Sequence, residues 1–171
     1  MLSLSYGNSE LDVPVNYIER QCNEWMKLSL QGTTVSASSG DTGVSWRANQ
    51  LGGPNGCSGT NDTVFTPVWI SDCPYVLSVG ATTIKANTSG YSANPETAVN
   101  EIAKGDTVPS TSGGGFSNIF ERPAYQTEAV KTYFENADPG WPHYSTSKGK
   151  NIGANGGLYN RAGRAYPDVS A

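Results

Sequence analysis

An aspartate follows a predicted strand at a position where α/β proteins often do chemistry. Residues 33–38 are mostly β-branched and small, which predicts a short buried strand. Ser39 and Gly40 then end the strand, and Asp41 falls on the turn beyond its carboxyl end. In open α/β sheets this edge is where ligands and catalytic groups collect. The alternative interpretation is that Asp41 only stabilises a turn, as Asp often does.

The elements before this turn predict a strand, a helix and a second strand. Residues 2–6 are apolar-leaning and form the first strand, which Gly7 ends. Asp12 is the predicted N-cap of the helix, and Gly32 is the predicted left-handed residue after it. A strand, a helix and a second strand in this order predict one right-handed crossover unit with parallel strands. The predicted apolar face of the helix consists of Val15, Ile18, Cys22, Trp25, Met26 and Leu30.

Two glycine-rich stretches could bring the backbone close to a ligand. Residues 52–56 lack the Lys-Ser/Thr ending of a phosphate-binding loop, and no clear helix follows them, so an ordinary loop is favoured. The second stretch contains three consecutive glycines, which allow backbone conformations that side chains forbid. It consists of Ser112, Gly113, Gly114 and Gly115.

Length and composition favour one loop-rich domain over residues 1–171. The net charge of −4 argues against nucleic acid as a partner, because nucleic-acid binding needs a basic surface. No run of about 18 apolar residues is present, so no membrane span is predicted. The first residues lack the basic and apolar regions of a signal peptide. The triplets at Asn61 and Asn87 are glycosylation sequons, which indicates a secretory history.

Three cysteines leave one without a partner if a disulfide forms. Cys57 and Cys73 flank a polar loop and are the predicted disulfide pair in an oxidising compartment. Cys22 is predicted to be a small buried side chain of the helix. No zinc site is expected, because there is no Cys-x-x-Cys pair and His143 is the only histidine.

Five segments of the chain, taken in order, closely resemble the sedolisins, which are serine-carboxyl peptidases that include the tripeptidyl-peptidases. They are residues 2–7, 33–44, 73–82, 112–118 and 163–171. The resemblance covers nearly the whole chain. It implies an α/β fold with a subtilisin-like parallel sheet and flanking helices, of which this chain would be the incomplete middle portion of the catalytic domain.

The same resemblance implies roles for individual residues. Asp41 matches the aspartate of the oxyanion hole, and the glycine-rich stretch from Ser112 to Gly115 matches a segment near the catalytic centre. The residues expected to line the substrate groove are Ser5, Tyr6, Gly7, Ser38, Ser39 and Gly40. The family usually has a Phe-Pro pair where this chain has Trp69 and Ile70, a difference that concerns packing.

An aspartate in an oxyanion hole must carry a proton. An ionised carboxylate only accepts hydrogen bonds and repels a developing oxyanion, whereas a neutral carboxylic acid can donate one. We therefore expect Asp41 to be kept neutral by burial or neighbouring acids. Since free Asp titrates at about pH 3.9, such a site is expected to work in acid. One oxyanion donor contributes about 3 kcal/mol to transition-state stabilisation.

The resemblance implies that the rest of the chemistry lies elsewhere. The family's Glu base and second Asp are expected upstream of residue 2, and its serine and calcium site are expected downstream of Ala171. Ser110, Ser112 and Ser117 lack the context of a nucleophile. The chain alone is therefore expected to be inactive and to need no cofactor, whether it is a truncated gene product or a piece of a longer protein.

Three functions follow, in order of preference. The first is a part of a secreted, acid-acting peptidase whose partners are peptide or protein substrates in an extracellular or acidic secretory compartment. The second is a non-catalytic module that binds peptides or proteins through the same groove. The third is a nucleotide-binding α/β domain, for which no phosphate motif is complete. Unpaired sheet edges would favour self-association.

Overall fold

The structure of the chain is a computed structural model that describes residues 1–46, 56–84, 96–101 and 110–171. The strands of these residues are Leu2–Leu4 (β1), Asn8–Ser9 (β2), Val35–Ser38 (β3), Val68–Trp69 (β4), Leu77–Gly80 (β5), Thr82–Ile84 (β6), Glu96–Ala98 (β7), Asn100–Glu101 (β8), Ser110–Thr111 (β9), Gly115–Glu121 (β10), His143–Tyr144 (β11), Tyr159–Asn160 (β12), Gly163–Tyr166 (β13) and Val169–Ser170 (β14). The α-helices are Val15–Leu30 (α1) and Thr127–Ala137 (α2), and short 3₁₀ helices cover Glu10–Asp12, Ala124–Gln126 and Ala154–Gly156.

A four-stranded parallel sheet has the strand order β1-β3-β5-β14. The register pairs Leu4 with Ala37 and Ser38 with Val79. Because the strands are parallel, their carboxyl ends meet at one edge, which brings the residues after β1, β3 and β5 together. The predicted parallel α/β sheet with a flanking helix is confirmed.

Helix α1 covers one face of the sheet. Ile18, Cys22 and Trp25 are buried in one cluster with Val35 and Ala37 of β3, as the helical spacing predicts. The chain leaves the helix through Gly32, whose φ of +84° matches the predicted left-handed residue.

Two details of the predicted helix are wrong. Leu30 is 80 % exposed at the last position of α1, and Leu28 packs on the core instead. Asp12 does not cap α1, because it ends a 3₁₀ turn that Ser9 initiates by accepting a hydrogen bond from the Leu11 amide. The residue at the N-cap of α1 is Pro14, and no side chain caps it.

The antiparallel pair β10–β13 and helix α2 form a second layer of contacts. Gly115 lies opposite Tyr166, and the register shifts between Phe116 and Glu121. Val130 of α2 is buried, and Phe134 stacks on Phe116 at 5.4 Å between ring centroids. Ala129 and Tyr133 of the same helix remain accessible.

The predicted disulfide between Cys57 and Cys73 is wrong. Cys73 bonds to Cys22, with the two Cα atoms 5.6 Å apart. Cys22 faces the core from α1, and Cys73 follows β4 in the same buried cluster. Cys57 is a buried free thiol in a different cluster, with Phe65 and Tyr159. Proximity along the chain therefore misled the sequence-based pairing.

Some predictions lie outside the described residues. These are most of the glycine-rich loop at residues 52–56, much of the polar stretch at residues 83–111, and the sequon at Asn87. Among the described helices, none has the length and apolar character to cross a membrane.

Candidate active site

The turn that carries Asp41 is anchored to the carboxyl edge of the parallel sheet. After β3, the Ser39 amide donates to the Val79 carbonyl at 2.9 Å, and Ser39 is buried. Gly40 then adopts a φ of +100°, a backbone conformation that favours glycine. Asp41 lies exposed at the end of this turn, and its carbonyl accepts a hydrogen bond from the Thr111 amide at 2.8 Å. The expectation that burial keeps the carboxyl group of Asp41 neutral is therefore wrong, because the residue is exposed.

The glycine-rich stretch lies directly against this turn. The Gly113 amide donates to the Gly40 carbonyl at 2.7 Å, and the Gly114 amide donates to the Gly43 carbonyl at 3.1 Å. A Cβ atom at Gly113 would lie 1.9 Å from the carbonyl oxygen of Ser39, so only glycine fits. Two segments far apart in the sequence are thus in backbone contact.

Ser112 links the same stretch to the next strand of the sheet. Its hydroxyl oxygen accepts a hydrogen bond from the Ala81 amide at 2.9 Å, just beyond β5. The Ser112 side chain is therefore occupied in holding the loop on the sheet edge, which is a structural task.

The residues after β1 form the other side of the same edge. Ser5 and Tyr6 are exposed, and Tyr6 is 66 % exposed although it is aromatic. Gly7 packs on Val68, since a Cβ atom at Gly7 would lie 2.4 Å from Val68 Cγ1. The equivalent atom at Gly40 would lie 2.7 Å from Val68 Cγ2. One valine side chain thus fills the space between the two turns.

Val68 also connects this edge to the second pair of strands. Its amide donates to the hydroxyl of Tyr166 at 3.0 Å, and Tyr166 lies opposite Gly115 in the β10–β13 pair. No pattern in the sequence predicts this role of Val68, because a valine in a two-residue strand indicates burial and nothing more.

The segment Tyr166–Ser170 is held by a buried arginine. Arg164 is fully buried, and its Nη2 donates to Asp168 Oδ2 at 2.6 Å and to the Val76 carbonyl at 3.1 Å. The same Asp168 oxygen accepts from the Ser78 amide at 2.8 Å, and Gln126 donates to the other oxygen at 3.2 Å. These contacts fix the chain between β13 and β14, across the cis bond from Tyr166 to Pro167.

A groove of about 880 Å³ lies beside the glycine-rich stretch. Gly114 and Gly115 form part of its wall, and Asp168 contributes a carboxyl group. The rest of the wall is rich in aromatic side chains and includes Phe65, Phe116, Tyr133, Trp141, Tyr159 and Tyr166. Its size and lining are those of a ligand site.

A buried cluster of acids lies apart from the sheet edge and was missed by the sequence analysis. Ser117 donates to Glu10 Oε1, and the Asp72 carboxyl oxygen Oδ2 is 3.5 Å from the Ser117 hydroxyl. All three residues are 0 % exposed. A serine beside two carboxyl groups has the composition of a catalytic group, but no substrate can reach it without unfolding. Burial raises the pKa of both acids, and the charge of Glu10 raises that of Asp72 further.

The described residues offer no metal centre. No group of three or more His, Cys, Asp or Glu side chains among them could hold an ion. The expectation that this part of the molecule needs no cofactor stays a prediction.

Known proteins are similar to this chain in sequence and in fold. No protein-family model matches the chain. Tripeptidyl-peptidase sed1 of Aspergillus fumigatus is 47 % identical over the whole chain, and aorsin of Aspergillus oryzae is 48 % identical over the whole chain. A solved structure of Pseudomonas sedolisin, a serine-carboxyl proteinase complexed with pseudo-iodotyrostatin, superposes with a TM-score of 0.56 at 27 % identity over 96 % of this chain.

The chain is related to the sedolisins. The resemblance predicted from the motifs is therefore confirmed. The chain spans 25 % of the length of each of the two Aspergillus relatives and 44 % of the Pseudomonas sedolisin chain. The oxyanion role of Asp41 and the substrate-binding roles of its neighbours stay predictions.

Proposed function

We propose that this sedolisin-like chain forms part of the active site of an acid-acting peptidase that hydrolyses bonds in peptides or proteins. The observation that carries the proposal is the packing of the Asp41 turn against the glycine-rich stretch at the carboxyl edge of the parallel sheet. Glycine at positions 40 and 113 allows the backbone contact, and the carboxyl group of Asp41 is left exposed beside it. A substrate carbonyl at this edge can therefore reach Asp41.

The proposed role of Asp41 is that of a hydrogen-bond donor to the oxyanion. In its protonated form the side chain donates to the oxygen on which negative charge develops. In its ionised form the same side chain repels that charge. The reaction is therefore expected to be favoured in acid.

The proposed substrate wall is the chain that follows β1. Strand β1 is at one end of the described sheet order, so its outer side has backbone groups that are free to pair. An extended peptide can add to such an edge through main-chain hydrogen bonds. Ser5, Tyr6 and Gly7 continue this edge toward Asp41, and Val68 sets the spacing between the two turns.

We also propose that the 171-residue chain does not hydrolyse peptides by itself. Serine peptidases need a serine and a base in contact with both each other and the substrate. Among the hydrogen bonds of the described residues, the serine whose hydroxyl contacts carboxyl groups is Ser117, which is fully buried. The calcium site and the nucleophile of the family are proposed to belong to other parts of a complete peptidase.

An oxidising, acidic or extracellular compartment is the proposed location. The Cys22–Cys73 disulfide persists in such compartments, and the sequon residue Asn61 is exposed on a turn. Expression in a secretory host should give a product whose mass falls on treatment with an N-glycan-removing enzyme. No mass change with Asn61 intact would argue against export through a glycosylating pathway.

The aromatic groove favours a second candidate function, a module that binds peptides without cleaving them. Its volume of about 880 Å³ and its aromatic wall fit apolar side chains of a peptide. Self-association through β1 or β14, the two end strands of the described sheet, would belong to this candidate. Size-exclusion chromatography at several concentrations tests the self-association, and a constant monomer size would contradict self-association.

Peptide binding mapped by NMR separates the two candidates. Chemical-shift changes at Tyr6, Gly7 and Asp41 on adding peptide in acid support the peptidase groove. Changes confined to Phe116, Tyr133 and Trp141 support the non-catalytic module and contradict the first proposal. In the same sample, a serine-directed acylating reagent should leave every serine unmodified, and a labelled serine would overturn the proposed inactivity.

A further inference from the structure

Glu10 is an acid with an unusually complete set of hydrogen-bond donors. Its carboxyl oxygens accept from the Asn118 amide at 2.8 and 3.0 Å, from the Ile119 amide at 3.2 Å, and from the Ser117 hydroxyl. These amides are available because the register of β10 shifts there, so that they do not all pair with β13. Burial raises the pKa of Glu10, and these donors oppose that effect because they favour its ionised form.

Asp72 has much weaker support. Its Oδ1 atom has no hydrogen-bond partner, and its Oδ2 atom is 3.5 Å from the Ser117 hydroxyl, which already donates to Glu10. The positive charge of Arg164 lowers the pKa of Asp72. However, the Nη atoms of Arg164 donate their hydrogen bonds to Asp168 and to the carbonyls of Val76 and Ala165. An ionised Asp72 would be a buried charge compensated by few groups, namely its own backbone amide, the distant Ser117 hydroxyl and the charge of Arg164.

The Ser117 hydroxyl is close to both carboxyl groups, because it donates to Glu10 Oε1 and lies 3.5 Å from Asp72 Oδ2. Two ionised carboxylates repel at this range, whereas one proton between them makes a charge-assisted hydrogen bond. Among the described residues, the other titratable groups that face the pair are Tyr144 of β11 and Tyr166 of β13, and burial raises the pKa of both hydroxyls.

We propose that Glu10 and Asp72 form a proton-binding site in which Asp72 donates its proton to an ionised Glu10, so that the fold itself depends on acid. Ser117 and the amides of Asn118 and Ile119 complete the shell around Glu10. The inference is independent of the proposed peptidase function, because neither acid reaches the sheet edge or a substrate.

The sign of the pH dependence follows from the raised pKa of Asp72. In the unfolded chain Asp72 loses its proton above about pH 3.9, whereas the folded chain retains it to a higher pH. Between these limits the folded state holds one proton more than the unfolded state. The ratio of folded to unfolded chain therefore falls by up to about tenfold for each unit of pH increase. Stability is greatest in acid and declines toward neutral pH.

Urea unfolding of the 171-residue chain from about pH 4 to about pH 7 tests the proposal, with Asp72→Asn as the main variant. The asparagine amide can donate to Glu10 without titrating. In wild type the ratio of folded to unfolded chain should fall by up to about tenfold per pH unit, and in Asp72→Asn this fall should be absent. Near neutral pH the variant should therefore unfold at a higher urea concentration than wild type. Glu121→Gln removes an exposed carboxyl group from β10, the strand that also carries Ser117, and should leave the slope unchanged.

Infrared spectroscopy of the wild type keeps the proposal falsifiable if Asp72→Asn does not fold. A carbonyl stretch of a protonated carboxyl group, identified by isotope labelling of aspartate, should persist at a pH where exposed carboxyl groups are ionised. If this band persists and the stability of Asp72→Asn depends less on pH than that of wild type, the shared proton is supported. Its absence, or the same pH slope in Asp72→Asn as in wild type, overturns it.

Discussion

The Gly113 amide donates a hydrogen bond to the carbonyl of Gly40 at 2.7 Å, which ties the glycine-rich stretch to the turn that carries Asp41. The close approach leaves no room for a side chain at position 113. The geometry of the candidate site thus depends on two glycines from distant parts of the sequence, and it can be disturbed without changing any polar side chain.

Gly113→Ala should distort the candidate site. The added Cβ would lie 1.9 Å from the Ser39 carbonyl oxygen, so the turn and the stretch must separate. We expect a loss of about 3 kcal/mol or more in the free energy of unfolding. Chemical denaturation measures the loss, and NMR shifts at Asp41 and Thr111 report the separation.

Gly115→Ala is the matched control from the same stretch. Its Cβ would meet only ordinary contacts, the nearest at 3.7 Å from the Tyr166 ring. Stability should change by less than about 1 kcal/mol. Equal effects of the two substitutions would show that crowding at Gly113 is not what holds the turn.

The disulfide between Cys22 and Cys73, and not one that involves Cys57, should stabilise the folded chain. It closes a loop with a sequence separation of 51 residues, and removing such a bond costs about 3 kcal/mol. Reducing agent should therefore lower the unfolding midpoint of wild type and of Cys57→Ala, but not that of Cys22→Ala. Peptide mapping that finds Cys57 in a disulfide of the folded monomer would contradict the pairing.

The buried ion pair between Arg164 and Asp168 should be far more important than a similar pair nearer the surface. Asp168→Asn leaves the guanidinium of a fully buried arginine without a counter-charge, which should cost about 3 kcal/mol. Asp138→Asn breaks the ion pair between Asp138, whose side chain is 34 % exposed, and Arg161, whose side chain is 29 % exposed. This substitution should lower the free energy of unfolding by less than about 1 kcal/mol. Comparable losses in thermal or urea unfolding would refute the assigned anchoring role of Arg164.

Local patterns in the sequence predicted the elements and the broad site. The apolar spacing of α1 and the β-branched run before Asp41 report directly on burial, so the parallel sheet and the buried residues Ile18, Cys22 and Trp25 followed from them. The position of Asp41 at the carboxyl edge followed from the order of strand and turn. The family motifs predicted the relation to the sedolisins.

Contacts between distant segments could not be predicted in the same way. The pairing of Cys73 with Cys22 depends on how β4 and its following turn lie under α1, which spacing does not encode. The contact of Glu10 and Asp72 with Ser117 could not be predicted either. A glutamate in a polar stretch is expected to be exposed, and only the register shift in β10 provides the amides that bind the buried Glu10. The role of Val68 could not be predicted because one of its methyl groups packs on Gly7 and the other on Gly40, residues of two turns that are distant in the sequence.

The most direct test of the role assigned to Asp41 is the pH dependence of peptide affinity, measured for wild type, Asp41→Asn and Asp41→Ala from about pH 4 to about pH 7. Asparagine donates a hydrogen bond at every pH, whereas the aspartic acid donates only when protonated. Wild-type affinity should fall severalfold, up to about tenfold, as the pH rises, Asp41→Asn should show no such fall, and Asp41→Ala should bind weakly throughout. The same fall in Asp41→Asn as in wild type would contradict a protonated Asp41 at the substrate groove.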